Sequence, residues 1–266
     1  FGLGAFLSPI LVDRMVVLSG GIGWAYWSLA LLILPTAFWM TRLPSPTRQI
    51  AKGDEQQASV MRYGWLIFLI AGLLGLHVGA ELAFGGWIFS YAVALRIGPE
   101  TIARLLNSVY WGALTLGRLI AIPVATWLLP RTMLLIDLIG AAASVGVMLL
   151  LPDWAPALWI GTFGFGLSLA SFYATVMNFT ERRIAITGRV TSYILVGATA
   201  GSMILPWLIG QLFETVGPHV LMVAIGIDIV ISLALFTVIL IYARRFPIRS
   251  AKKTERVSQS GVSGSK

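Results

Sequence analysis

The sequence predicts an all-α fold, a polytopic bundle of transmembrane helices, on three observations. Of its 266 residues 58% are hydrophobic and only 11% charged, with a mean hydropathy of +0.87. Apolar runs recur near the ~20 residues that a helix needs to cross a bilayer. Basic residues gather on alternate connections between those runs, the pattern that orients membrane helices. Soluble domains carry about 25% charged residues, so the deficit reflects a surface that faces lipid. Helices are expected because every backbone polar group in hydrocarbon needs a partner within its own segment. The chain has no cysteine, which excludes a disulfide framework, an iron–sulfur site and thiol catalysis.

The pattern reads as a partial helix at 1–12, then spans at about 22–41, 64–94, 105–129, 132–151, 156–180, 191–213 and 219–243. Turn residues punctuate it: PSP at 44–46, Pro99, Pro130, Pro152, Pro156, Gly188 and Gly217-Pro218. The opening FGLGAFLSP has no initiator Met and no basic region ahead of an apolar core. It reads as the interior of a longer chain rather than as a signal peptide. The organisation expected is 1–41 as the last part of an N-terminal helical half and 42–63 as a hydrophilic central loop, followed by 64–243 as a six-helix half and 244–266 as a polar, disordered tail.

Of the 19 Lys and Arg residues, Arg118 lies within a span and only Arg14, Arg96 and Arg104 fall on one side. All the others share the opposite side, which the positive-inside rule makes cytoplasmic, with the central loop and the C-terminus. The net charge of +8 is thus a topology signal suited to an anionic leaflet, and nucleic acid is not an expected partner.

Charged groups at membrane depth cost at least ~2.5–3.5 kcal/mol each, so they face the bundle interior and have partners. The stretch LHVGAELAFGGW, residues 76–87, places His77 and Glu81 one turn apart in otherwise apolar sequence. Arg118 lies as far into the next, antiparallel span as Glu81 lies from the end of its own, so the two share a depth. The cluster is either a structural latch or a site for a coupling ion or substrate. Gly85-Gly86 just beyond can open the helix or allow close packing.

Two stripes follow. Asn107, Trp111, Thr115 and Arg118 share one helix face, and an aromatic plane beside an amide and a hydroxyl is the chemistry that a pyranose requires. In the 156–180 span Gly161, Gly164, Ser168, Ser171, Thr175 and Asn178 recur at helical spacing. They suit a water-filled path or tight packing equally, and Phe172 and Tyr173 lie off the stripe. Asp137 is read as structural, neutralised by Arg131 or the 181–189 loop, while Asp228 has no evident partner. Gly197 and Gly201 make a small-xxx-small pair, and Pro206 can kink their helix.

No enzyme signature emerges. The Gly-rich runs GLGAFLS and GTFGFG follow no strand and lead to no Walker lysine. His77 and His219 lack metal-ligand spacing. The chain is expected not to be an enzyme and to need no cofactor, with Na⁺ or H⁺ as the possible coupling ion.

The run SVYWGALTLGRLIAIPVATWLLPRTMLLIDLIG at 108–140 resembles the eighth and ninth helices of the major facilitator superfamily, in the branch of sodium-dependent glucose transporters and fucose permease-like proteins. FGLGAFLSP near the start, HVGAELAFGGWIFSYAV at 77–93 and GATAGSMILPWLIGQLFETVG at 197–217 resemble further segments of that branch. Many relatives carry an Asp-Arg and a Gly-Arg-Arg after the eighth helix, where this chain has Thr126, Trp127 and Pro130-Arg131. The resemblance implies a twelve-helix fold in which Phe1 lies in the fifth helix and the spans from 64 to 243 are helices seven to twelve. It implies that Glu81, Trp111 and the Ser168 stripe face the central cavity, with Asp137 and Asp228 peripheral.

It further implies symport of a hexose with Na⁺ or H⁺ across a membrane, expected to be the plasma membrane, by rocking of two halves around a midplane site. The partners expected are therefore the hexose, the lipid bilayer and the preceding helices of the same protein. The alternatives are a facilitator-fold transporter of another small organic solute, such as a nucleoside or drug, and a receptor or scaffold that keeps the fold without transport.

Overall fold

The computed structural model describes residues 2–43, 53–152, 154–184 and 187–244. Among them it shows helices and connections only: α1 (Gly2–Ser19), α2 (Gly23–Arg42), α3 (Gly53–Ala94), α4 (Glu100–Trp127), α5 (Pro130–Leu150), α6 (Ala155–Leu169), α7 (Phe172–Glu181), α8 (Gly188–Val216) and α9 (Val220–Ala243). Seven stretches are long and apolar enough to cross a membrane, with α6 and α7 together counting as one. The chain is a multi-pass membrane protein. Its seven spans are the seven full spans read from the sequence.

Three departures from that reading stand out. The first helix continues past residue 12 to Ser19 because Asp13, which would be costly in lipid, is paired with Arg104 of α4 at 2.8 Å. Its end is set by Gly20, at φ +70. The third helix begins at Gly53, inside the stretch assigned to the central loop. The 156–180 span is divided at Ala170-Ser171. The expected PSP turn, Arg48 and Lys52 of the central loop and the tail beyond Arg244 lie outside the described residues.

The helix α3 forms the spine, packed against α8, α9 and α4. Its buried side chains fall into two apolar clusters. Leu66, Ile70, Leu73 and Leu74 join Phe172, Phe179, Ile194 and Phe236 toward the end bearing the basic loops. Ala80, Phe84, Ile88 and Tyr91 join Tyr110, Phe165, Leu221 and Ile225 toward the other. His77 and Glu81 occupy the stretch of α3 where one cluster gives way to the other.

Glycine sets the contact between α3 and α8. A Cβ on Gly75 would lie 2.7 Å from the Gly197 carbonyl oxygen, one on Gly79 2.9 Å from that of Gly201, and one on Gly201 would overlap the Gly75 backbone. The Gly197/Gly201 pair therefore meets a second pair four residues apart on α3, so the backbones touch. At Gly85 there is no opening: α3 runs on through Gly85-Gly86, and a Cβ on Gly85 would strike the rings of Trp111 and Tyr110. Gly85 is thus a packing device, whereas a Cβ on Gly86 would meet nothing within 4 Å. Pro206 lies within a continuous α8, and Trp87 Nε1 donates to its carbonyl at 3.1 Å.

At the basic end Arg183 stacks over Phe179 with its guanidinium carbon 4.0 Å from the ring centroid. Burial, with Arg131 and Arg182 nearby, holds its pKa below the ordinary arginine value. Arg131 thus lies among like charges.

Gly201→Leu is expected to destabilise the folded protein by at least the ~1–3 kcal/mol typical of overpacking, because no side-chain shift can relieve backbone contact. Gly146→Leu, where an added Cβ meets nothing within 4 Å, should leave the melting temperature nearly unchanged. Thermal unfolding of the full-length protein in detergent compares the two.

Candidate functional site

The sequence folds α3 and α4 as antiparallel neighbours, and their two charged residues meet. Arg118 Nη2 donates to Glu81 Oε1 at 3.2 Å. His77 Nε2 lies 3.5 Å from Glu81 Oε2, within ion-pair reach but without hydrogen-bond geometry. Glu81 is 8% exposed and His77 4%. One turn separates them, as their spacing requires. The imidazole stacks on Phe172 at 4.4 Å between ring centroids, which fixes its plane. Tyr110, fully buried, donates its hydroxyl to the Glu81 carbonyl oxygen at 2.9 Å and so ties α4 to α3 at this level.

The cluster borders a cavity of about 750 Å³. Glu81, His77 and Arg118 form part of its wall, and Leu128, Pro130, Met133 and Asn178 carry it toward the end with the basic loops. Most of the lining is apolar, the remaining polar groups being Ser171, Tyr173, Thr175 and Asn178. This is the usual make-up of a small-molecule site: an apolar hollow with a few convergent polar groups. The charged cluster offers a carboxylate and a guanidinium in low-dielectric surroundings, where each strengthens the other and neither is easily left alone.

The other sequence candidates divide. Of the four candidates on α4 only Arg118 reaches the cavity wall. The Trp111 ring lies against Gly85 and edge-on to Tyr110 at 5.1 Å. Thr115 donates to the Trp111 carbonyl at 2.7 Å. Asn107 Oδ1 is buried and accepts no hydrogen bond. None of these three lines the cavity.

The long stripe parts at the helix break. Gly161 and Gly164 meet Met148 and Ser144 of α5, and Ser168 meets Gly140, so this half is a packing seam. Beyond the break Ser171, Thr175 and Asn178 line the cavity. Thr175 donates back to the Ser171 carbonyl at 2.8 Å, and Asn178 Oδ1 accepts from Arg182 Nε at 3.0 Å.

Phe172 and Tyr173 are the residues that sequence reasoning passed over. Tyr173 lines the cavity and is 39% exposed, the aromatic plane that Trp111 was expected to supply. A stripe drawn through an uninterrupted helix cannot place them; the turn residues Ala170-Ser171 carry no Gly or Pro to announce a break. Asp137 accepts a hydrogen bond from Ser171 Oγ at 2.6 Å. That replaces the expected neutralisation by Arg131 or the 181–189 loop, since among the described residues Asp137 makes no ion pair. Among these residues there is also no group of three or more His, Cys, Asp or Glu placed to hold a metal ion.

No family model matches the chain. It is 30% identical over 189 residues to the human protein named Major facilitator superfamily domain-containing protein 4A, an alignment covering 70% of this chain and 37% of that protein. With Sodium-dependent glucose transporter 1 of Xenopus laevis the identity is 34% over 169 residues, 63% of this chain and 34% of the relative. With Sodium-dependent glucose transporter 1A of Mus musculus it is 29% over 248 residues, 80% and 58% respectively. The chain therefore spans little more than a third of the length of the human and frog relatives. The helical bundle of membrane-spanning length agrees with the similarity. The chain belongs to the major facilitator superfamily, in the branch of the sodium-dependent glucose transporter 1 and domain-containing 4A proteins.

Proposed function

We propose that this chain is the cavity-bearing part of a secondary active transporter that moves a hexose together with Na⁺ or H⁺ by alternating access. The observation that carries the proposal is the buried carboxylate of Glu81, 3.2 Å from Arg118 and 3.5 Å from His77, in the wall of a cavity about 750 Å³ in volume. An intramembrane carboxylate with two changeable partners suits a group that gains and loses a cation during a transport cycle. The names of two relatives, which speak of sodium and glucose, support the choice of solute class. The name of the third specifies no solute.

In this proposal Glu81 holds the coupling ion or accepts sugar hydroxyls, Arg118 sets its charge, and His77 takes up or releases a proton beside it. Ser171, Thr175 and Asn178 supply hydrogen bonds to the solute. Tyr173 offers the flat apolar face on which a pyranose stacks. Asn107, Trp111, Thr115 and Ser168 support the wall from behind. Residues 1–41 form the end of an N-terminal half, 42–63 the central loop and 64–243 the C-terminal half, with preceding helices of the same protein completing the cavity. The basic loops and the C-terminus face the cytoplasm, and the membrane is the plasma membrane.

A structural latch is the competing reading, favoured by the direct Glu81–Arg118 contact. Three results separate the two. Labelled glucose should accumulate in proteoliposomes carrying the full-length protein under an inward Na⁺ or proton gradient, and Glu81→Gln should cut that accumulation at least about tenfold, the effect of ~1.4 kcal/mol. Uptake that ignores both gradients, or is intact in Glu81→Gln, would overturn the proposal.

Removing one partner of a buried pair costs ~3–5 kcal/mol because the other is stranded. The double variant Glu81→Gln/Arg118→Gln should therefore regain most of the thermal stability lost by either single one. If it also regains gradient-driven accumulation, the pair is only a latch; a stable double variant that equilibrates solute without concentrating it supports coupling. Finally, Tyr173→Ala should raise KM for the sugar by about tenfold with kcat little changed, the mark of lost binding, whereas Trp111→Ala should act on the melting temperature instead.

A further inference from the structure

A second carboxylate, lining a different hollow from the cavity just described, is left without a partner among the described residues. Asp228 lies near the middle of α9 and is only 5% exposed. It makes no hydrogen bond and no ion pair among the described residues. Yet it lines a separate hollow of about 640 Å³ where α9 meets α3 and α8, whose other walls include Gly72, Gly75, Gly197 and Gly201. The hollow is otherwise apolar, with Phe68 and Ile204 on its exposed side.

An ionised carboxyl in such apolar surroundings is costly without a counter-charge. Among the described residues none is supplied. The helix α3 presents no charged group between Gly64 and Leu76, and its His77 is turned to the Glu81 cavity. From α8 the lining is apolar apart from Tyr193, which carries no charge to offer. On α5, the third helix packed against α9, the charged residues are Arg131, which neighbours Arg183, and Asp137, which lines a different cavity and is bonded to Ser171. The missing charge must come from outside.

We propose that Asp228 is the anchor of a monovalent cation site, independent of the Glu81 cluster, in the hollow between α3, α8 and α9. A single carboxylate calls for a single positive charge, and Asp228 is the one acidic residue among those lining the hollow, fewer than a divalent ion attracts. The chemistry shared by the two possible occupants, a proton and Na⁺, is a hard cation held by oxygen. Ser232, one turn further along α9 and 3% exposed, places a hydroxyl on the same face. Because the hollow sits where the glycines of α3 and α8 touch, occupancy of the site and the closeness of that contact are linked.

The test uses the full-length protein, purified in detergent with choline as the only other cation and treated with dicyclohexylcarbodiimide, an apolar reagent that modifies protonated carboxyls. Peptide mass spectrometry then locates the label. Asp228 is expected to be labelled near neutral pH and to lose the label as pH rises, with the melting temperature falling in parallel. A proton site is indifferent to Na⁺; at a Na⁺ site, replacing choline by Na⁺ at constant ionic strength suppresses the label and raises the melting temperature. Both outcomes support the proposal and name the occupant.

In the Glu81→Gln background, which removes the other carboxylate proposed to answer to these cations, adding Asp228→Asn should abolish the remaining response of melting temperature to pH and Na⁺, and Asp228→Glu, should the first variant fold poorly, should keep a labelled carboxyl at that position. Glu81→Gln should leave the Asp228 label intact, so the fate of the transport proposal does not decide this one. Absence of label at every pH, together with wild-type and Asp228→Asn proteins that melt alike under all these conditions, would overturn it.

Discussion

Everything in this bundle is arranged around the cost of a carboxylate in hydrocarbon. Glu81 is tolerated because Arg118 reaches it from the neighbouring helix, His77 flanks it from one turn away, and the Tyr110 hydroxyl ties the two helices at the same height. None of the four is independent of the others. Losing the guanidinium strands the carboxylate, and losing the carboxylate strands the guanidinium. The apolar packing divides at this level into two cores, one on either side. The polar layer is therefore the seam of the fold as well as its candidate site.

Much of this was legible before the structure. Apolar run lengths give the seven spans, since bilayer thickness dictates helix length. The shared depth of Glu81 and Arg118 anticipates their contact, although α4 begins five residues earlier than read, at Glu100. The i, i+4 spacing of His77 and Glu81 is geometry that a helix cannot evade. What the sequence concealed was rotation. Depth is a property of one helix, whereas which neighbour a face meets depends on all the others. Asn107, Trp111 and Thr115 share a face with Arg118 yet stand outside the cavity wall.

The break at Ala170-Ser171 is the clearest case. Both residues keep right-handed helical angles, at φ -61 and φ -92, so the interruption is slight and needs no special residue. It is enough to leave Ser168 against α5 while Ser171 and Tyr173 reach the cavity. The glycines tell the complementary story. The pair on α8 was visible as a motif, but its counterpart at Gly75 and Gly79 was hidden among leucines, and only the contact between the helices shows that the two pairs interlock.

The α3–α8 crossing has a mechanical meaning. Two helices whose backbones touch through glycine have no side-chain layer between them to shear, so they behave as one beam. The opposite wall, made partly of α7, is joined to its span by an interrupted turn with fewer helical hydrogen bonds to resist bending. The cavity is bounded by a stiff side that carries Glu81 and a compliant side that carries Tyr173, and a change in its width is a hinge motion of the second against the first.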